Sequence, residues 1–132
     1  MPRIQRLVVV LAIIFGACSP AWAIIPFKKA FDEYYGKNNA DIKKASDEAK
    51  CLVCHVGTQS KKNRNDYGKA LSELLKKDNF KADRLQKEPE KVKEEIEAAF
   101  KKAEDMKTKD GKEKFGDRLK AGKLPGTPEE GK

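Results

Sequence analysis

The residues that can do chemistry are concentrated in one short stretch, Cys51-Leu52-Val53-Cys54-His55. On an incipient helical turn, two thiols three positions apart can each add to one vinyl group of the same porphyrin, and the adjacent imidazole then projects toward the iron. Cys-x-x-Cys-His is the attachment signature of c-type haem. The sequence therefore predicts one covalently attached haem c, with Cys51 and Cys54 as attachment sites and His55 as the proximal iron ligand.

Three other chemistries compete for this motif. A thioredoxin-like redox pair needs a strand–helix setting, and no strand-like alternation follows residue 24. A closed structural zinc site normally needs four nitrogen or sulfur ligands, whereas residues 24–132 contain two cysteines and one histidine. A disulfide between Cys51 and Cys54 would close so small a loop that it would add little constraint. Haem attachment is the interpretation that uses all three side chains.

The first 23 residues have the three parts of a secretory signal peptide. Two arginines precede an apolar run from Leu7 to Ala17, and Ala21-Trp22-Ala23 supplies an A-x-A cleavage site. The apolar run has 11 residues, whereas a membrane-spanning helix needs about 20. We therefore predict a signal peptide over residues 1–23 and export to the bacterial periplasm. Lipid anchoring through Cys18 is the alternative, although a phenylalanine stands where a lipobox usually has leucine.

Removal of residues 1–23 changes the composition that must fold. The whole chain is 39% hydrophobic and 38% charged, but much of its apolar share belongs to the signal segment. The remaining 109 residues carry 27 basic and 21 acidic side chains, a net charge of +6. Domains this poor in large apolar residues usually need a disulfide, a metal or a cofactor for stability. The composition argues against a multi-pass membrane protein, a large self-sufficient enzyme and a disulfide-rich toxin.

Apolar residues recur at helical spacing after the motif and before it, so the predicted fold class is all-α, with four to five short helices. The predicted helices cover residues 27–35, 41–50, 67–77 with Asp66 as the cap, 89–107 and 113–121. Phe80 and Leu85 are expected to belong to a short linker or a helical turn. One domain is predicted over 24–124, followed by a disordered tail over 125–132.

The chain is similar to the small monohaem c-type cytochromes and resembles class I cytochrome c. The resemblance rests on the signal peptide, the single Cys-x-x-Cys-His motif, an aromatic helix before the motif and a methionine after it, Met106. It covers most of residues 27–121 in layout, but only the pentapeptide is specific. The resemblance implies a cytochrome c-like fold that wraps the haem and leaves one haem edge at the surface, and it implies one-electron transfer.

Met106 is predicted to be the distal, sixth iron ligand. His55 is the only histidine, which excludes ligation by two histidines of one chain, and Met106 is the only methionine beyond residue 23. A methionine thioether is the usual sixth ligand in electron-transferring cytochromes c. Met106 also continues the apolar stripe of its helix, so packing in the core is the competing role.

Two departures from the class I pattern leave the coordination open. Proline and aromatic residues do not surround Met106, and no proline between Pro26 and Pro89 can offer its carbonyl to the haem histidine. Another group must therefore orient His55. On the distal side, a lysine or an empty position is an alternative to methionine, as are the side chains of Asn63, Asn65 and Tyr67.

Basic residues crowd the segment after the motif, namely Lys61, Lys62, Arg64 and Lys69. Near an exposed haem edge, such a patch would steer an acidic redox partner, although lysines spread along every helix also serve solubility. The same charge is compatible with contact to an anionic membrane surface, without stable insertion. Export and the absence of a binding motif argue against nucleic acid.

The sequence thus predicts a periplasmic electron-transfer protein and not an enzyme. The alternative is a haem protein whose sixth iron position is open for ligand binding or sensing. A peroxidase-like enzyme ranks below both, because one histidine and one haem provide little distal acid–base machinery.

Overall fold

A computed structural model describes residues 26–57 and 63–127. The predicted signal peptide and Cys18 lie outside these residues. The described part is helical and contains two isolated β-bridges but no β-strand, which confirms the all-α class. It has six α-helices, so the prediction of four to five is too low. The additional helix lies where a short linker or a helical turn was expected.

The α-helices are α1 (Pro26–Phe31), α2 (Ala40–Ala49), α3 (Asp66–Leu74), α4 (Ala82–Lys87), α5 (Pro89–Glu104) and α6 (Phe115–Lys120). A π-helical turn over Asp32–Gly36 continues α1, and 3-10 turns cover Lys50–Val53 and Lys77–Asn79. Pro89 begins α5 as predicted, since its missing N–H is not needed in a first turn.

Asparagines cap the helices on both sides of the motif. The Asn39 side chain accepts hydrogen bonds from two first-turn N–H groups of α2, at 3.1 and 3.2 Å. The Asn65 side chain accepts from the Gly68 N–H at 2.8 Å and so caps α3. The prediction of Asp66 as this cap is wrong, because Asp66 is the first residue of α3 and its carboxylate binds distant segments.

Helix α5 ends three residues earlier than predicted because the chain turns back after Glu104. The Phe115 N–H donates to the Met106 carbonyl at 3.0 Å, and Lys107 pairs with Lys114 in an antiparallel bridge. These bonds bring the start of α6 against the end of α5. Met106 therefore lies in a turn and not in the helix that its apolar spacing suggests.

An aromatic cluster forms the centre of the core. The Phe31 ring lies 4.9 Å from Tyr35, 6.1 Å from Tyr67 and 5.9 Å from Phe100, measured between ring centroids. Tyr67 in turn contacts Phe115 at 5.3 Å. Around them pack the buried aliphatic residues Ile42, Val53, Leu71, Val92, Ile96 and Leu119. The cluster joins α1, α3, α5 and α6 into one core.

The residues after α6 pack against the domain. Pro125 is fully buried, and Thr127 donates two hydrogen bonds to the Asp66 carboxylate, at 2.8 Å from its N–H and 2.7 Å from its hydroxyl. The predicted domain boundary at residue 124 therefore moves to at least residue 127. Residues 128–132 of the expected disordered tail lie outside the described residues.

Asp66 connects three segments of the chain. Its carboxylate also accepts from the N–H groups of Lys109 at 3.0 Å and Tyr67 at 2.9 Å. Burial alone raises the pKa of Asp66, but the hydrogen bonds from Lys109, Thr127 and Tyr67 outweigh it and hold the pKa below its ordinary 3.8. The ionised carboxylate therefore stabilises the folded state.

We expect Asp66→Asn to lower the free energy of unfolding at pH 7 by about 1–3 kcal/mol, since an amide presents donors where the carboxylate accepts. Because the folded pKa is depressed, this stabilisation is complete above the unfolded pKa and is lost as the pH falls through the folded value. Urea unfolding at pH 7 and pH 3 measures the difference in free energy of unfolding between Asp66→Asn and the unsubstituted protein. This difference should be smaller at pH 3.

The matched control is Asp41→Asn, which changes an exposed first-turn aspartate of α2. It should alter stability by less than about 0.5 kcal/mol. Equal effects of the two substitutions on stability would contradict a stabilising role of the Asp66 carboxylate. A stability loss for Asp66→Asn that is as large at pH 3 as at pH 7 would contradict it too.

Candidate functional site

The predicted haem motif forms a tight turn between α2 and α3. The N–H groups of Cys54 and His55 both donate to the Cys51 carbonyl, at 3.3 and 3.0 Å. Residues three apart are neighbours in a 3-10 turn, so this backbone keeps Cys51 and Cys54 close to each other. Both thiols are free, and neither takes part in a disulfide.

The two thiols have different surroundings. Cys51 is exposed, whereas Cys54 is half-buried and packs against the apolar core. Burial raises the pKa of the Cys54 thiol to about 12, against a smaller opposing effect of Lys28 and Arg64. Cys54 is thus held as a neutral thiol at physiological pH, and its surroundings favour an uncharged thioether equally well.

His55 is oriented by a backbone carbonyl. Its Nδ1 lies 3.2 Å from the Asn63 carbonyl oxygen, which also accepts from the Val56 N–H at 3.0 Å. With the ring proton on Nδ1, the lone pair of Nε2 is available to a metal. The Asn63 carbonyl thus fills the orienting role for which the sequence offered no proline. Sequence reasoning missed it because backbone carbonyls carry no residue signal.

Asn65 holds the backbone of the turn. Its side-chain amide donates to the carbonyls of Leu52 at 3.3 Å and Val53 at 3.0 Å, while its backbone N–H donates to the Cys54 carbonyl at 3.0 Å. A Cβ at Gly68 would lie 2.0 Å from that same Cys54 oxygen, so only glycine fits there. Since the Asn65 side chain is engaged with the backbone, it is not available as an iron ligand.

Met106 lies partly buried against the core, in the turn after α5. Its N–H donates to the Ala103 carbonyl at 2.9 Å. The contacts described for Met106 are to the core and to Phe115, and none of them joins it to His55. The turn is nevertheless tied to the start of α3 through Lys109 and Asp66, next to the residue that holds the motif.

Tyr67, which the sequence offered as one of the alternative distal ligands, is a buried polar residue next to the motif. The Tyr67 side chain is 0% exposed, and its hydroxyl has no hydrogen-bond partner of standard geometry among the described residues. The neighbouring Tyr35 hydroxyl donates to Glu104 at 3.0 Å. Burial raises the pKa of Tyr67 well above its ordinary value, and nearby Tyr35 and Cys54 raise it further. The Tyr67 hydroxyl is therefore a buried polar group that interacts with Tyr35 and lies close to a motif cysteine.

The predicted basic patch is described only in part. Arg64 and Lys69 are exposed, whereas Lys61 and Lys62 lie outside the described residues. Leu52, inside the motif, is 44% exposed. The surface at the motif therefore includes the apolar side chain of Leu52 and the positive charge of Arg64.

The donor set of the turn fits a c-type haem. It supplies two free thiols and one imidazole whose Nδ1 is already hydrogen-bonded. Within 26–57 and 63–127, no group of three or more His, Cys, Asp and Glu side chains is arranged to hold a metal ion. Two open clefts lie elsewhere, one along α2 and one beside Arg84, and neither includes the motif residues.

The chain matches no protein-family model, no curated protein and no solved structure. Among the described helices, none combines the length and apolar character needed to cross a bilayer.

The unequal burial of the two thiols predicts unequal reactivity. In the reduced protein without haem at pH 8, we expect iodoacetamide to modify Cys51 at least about tenfold faster than Cys54, because the thiolate is the nucleophile and the Cys54 pKa is raised. Timed alkylation followed by peptide mass spectrometry measures both rates. In 8 M urea the two rates should converge. Equal rates in the folded protein would contradict the burial of Cys54.

Proposed function

We propose that the chain is an exported electron-transfer protein with one covalently attached haem c in a cytochrome c-like fold. The observation that carries the proposal is the arrangement of the motif turn. Cys51 and Cys54 are free and lie three residues apart in one tight turn, and Nδ1 of His55 faces the Asn63 carbonyl at 3.2 Å, which leaves Nε2 for iron. When bound, the haem supplies reversible one-electron oxidation and reduction at its iron.

The chain's own residues then have separate roles. Cys51 and Cys54 hold the porphyrin through thioether bonds, which keep the cofactor on the protein outside the cytoplasm. His55 binds the iron, and the carbonyl acceptor at its Nδ1 fixes the ring and raises the basicity of Nε2. No side chain is needed to attack a substrate or transfer a proton, so the proposed protein is not an enzyme.

Met106 is the proposed sixth ligand. Its support is the connection between its turn and the motif, since Asp66 binds the Lys109 N–H while the preceding residue, Asn65, binds the motif carbonyls. A thioether ligand raises the reduction potential of a c-type haem. The elements that carry Met106 and His55 thus meet at the first turn of α3.

A haem protein with an open sixth position is the second candidate. It is favoured by the packing of Met106 against the core, which by itself accounts for the burial of this side chain. In that case the distal side binds a small ligand, and the protein is a sensor or carrier of that ligand.

The proposed partner is a redox protein with an acidic surface. Arg64, which pairs with His55 in a β-bridge, and Lys69 are exposed, and residues 24–132 carry 27 basic against 21 acidic side chains. Charge complementarity of this kind increases the rate of association and weakens with salt. Periplasmic location follows from the proposed signal peptide, and anchoring through Cys18 is its alternative.

The test of the sixth ligand uses Met106→Leu, which keeps side-chain volume and removes the sulfur. In the proposed carrier, the ferric protein shows the charge-transfer absorption of a methionine–iron bond and the ferrous protein binds carbon monoxide slowly. Met106→Leu should lose that absorption and bind carbon monoxide much faster, with haem content unchanged. Optical spectra and stopped-flow mixing measure these properties.

Two other results would overturn parts of the proposal. Prompt carbon monoxide binding by the unsubstituted ferrous protein contradicts methionine ligation and favours the open-site candidate. Absence of covalent haem, shown by the intact mass of protein exported from cells that mature c-type cytochromes, contradicts the proposed function itself.

A further inference from the structure

We propose that Asn65 is the positioning residue of the motif turn and that residues 125–127 hold it in that role. The inference rests on the proposed haem attachment. Beyond that proposal, it names the residue that sets the relative placement of Cys54 and His55. Neither the motif spacing nor the resemblance to cytochromes indicates this residue.

The contacts of Asn65 define the orientation of its amide. The Gly68 N–H can only donate, so the atom it meets at 2.8 Å is the side-chain oxygen. The Leu52 and Val53 carbonyls can only accept, so the atom they meet is the side-chain nitrogen. One side chain thus caps α3 and binds the motif backbone at the same time.

The extended segment 63–65 connects this contact to the imidazole. The Asn65 N–H binds the Cys54 carbonyl at 3.0 Å, and two residues earlier the Asn63 carbonyl accepts from the Val56 N–H and faces His55 Nδ1. Displacement of residue 65 therefore moves both the turn that carries Cys54 and the acceptor that orients His55.

Asn65 is enclosed by the C-terminal segment. Its side chain and backbone are 4% exposed, and a Cβ added at Gly126 would lie 2.3 Å from the side-chain nitrogen. Pro125 is fully buried and Thr127 is bonded to Asp66. The buried amide consequently has no space to move away from the motif and cannot exchange its partners for water.

The test variant is Asn65→Ser, because serine caps helices about as well as asparagine but is too short to reach the motif carbonyls. Asn39→Ser is the matched control, since Asn39 caps α2 without contacting the motif. The first readout is alkylation of Cys54 in the full-length chain without haem. We expect Asn65→Ser to accelerate it about tenfold, as the loss of two hydrogen bonds implies. Asn39→Ser should leave it within about twofold of the unsubstituted rate.

A second variant keeps Asn65 and the motif residues themselves and changes only the segment that encloses them. Gly126→Ala places a methyl group against the Asn65 amide and should accelerate Cys54 alkylation in the same direction. The double variant Asn65→Ser/Gly126→Ala should be no faster than Asn65→Ser alone, because both changes remove the same contact. Additive effects would overturn the role of the C-terminal segment.

In the haem-loaded protein the reduction potential can be measured, and a general loss of stability would leave it unchanged. In Asn65→Ser the displaced Asn63 carbonyl accepts less strongly from His55, the imidazole becomes a weaker donor to ferric iron, and the reduction potential should rise. Asn39→Ser should keep the unsubstituted potential. Unchanged Cys54 alkylation and potential in Asn65→Ser, or equal changes in both variants, would overturn the inference.

The two proposals fail in different ways. If the exported protein carries no haem, the proposed function is wrong, whatever the alkylation rates show. If haem is attached and the Asn65 variant behaves like the Asn39 variant, the function stands and the assignment of Asn65 is wrong.

Discussion

Backbone carbonyls in a tight turn that have no partner within a helix need hydrogen-bond donors from elsewhere. In this protein one amide side chain supplies such donors. Asn65 binds the carbonyls of Leu52 and Val53, and its own N–H binds that of Cys54. Unpaired carbonyls buried at this position would cost about 1–3 kcal/mol each. The conformation of the motif, the start of α3 and the closeness of Gly68 to Cys54 all depend on this arrangement.

The aromatic core explains how a chain poor in large apolar residues still forms a common interior. Phe31, Tyr67, Phe100 and Phe115 come from four different helices, and each fully buried aromatic ring contributes more apolar area than an aliphatic side chain. The cluster extends to the motif, because Cys54 packs against it and Tyr67 lies near Cys54. A planar apolar cofactor attached at the motif would enlarge this interior from its existing edge.

Local patterns in the sequence were sufficient for the class and for most helices. The stripe of Val92, Ile96 and Phe100 is buried as its spacing predicts, and Pro89 begins its helix. The motif residues could be named because their chemistry requires those side chains at that spacing. Whether haem binds them stays a prediction.

Two errors of the sequence analysis, the cap of α3 and the end of the domain, share a physical cause, since each depends on partners distant along the chain. Asn65 and Asp66 are both good caps by type, and only the backbone turn of residues 51–54 selects Asn65. Residues 125–127 look disordered by composition, but their contacts with Asn65 and Asp66 lie about 60 positions away. The Asn63 carbonyl carries no residue signature at all.

The hydrogen bond between Thr127 and Asp66 can form only late in the synthesis of the chain. Its two residues are 61 positions apart, and a chain is synthesised from its N-terminus. The enclosure of Asn65 therefore cannot form until residues 125–127 have been made. A shorter piece of the chain that already contains the motif lacks this restraint on the placement of its two thiols.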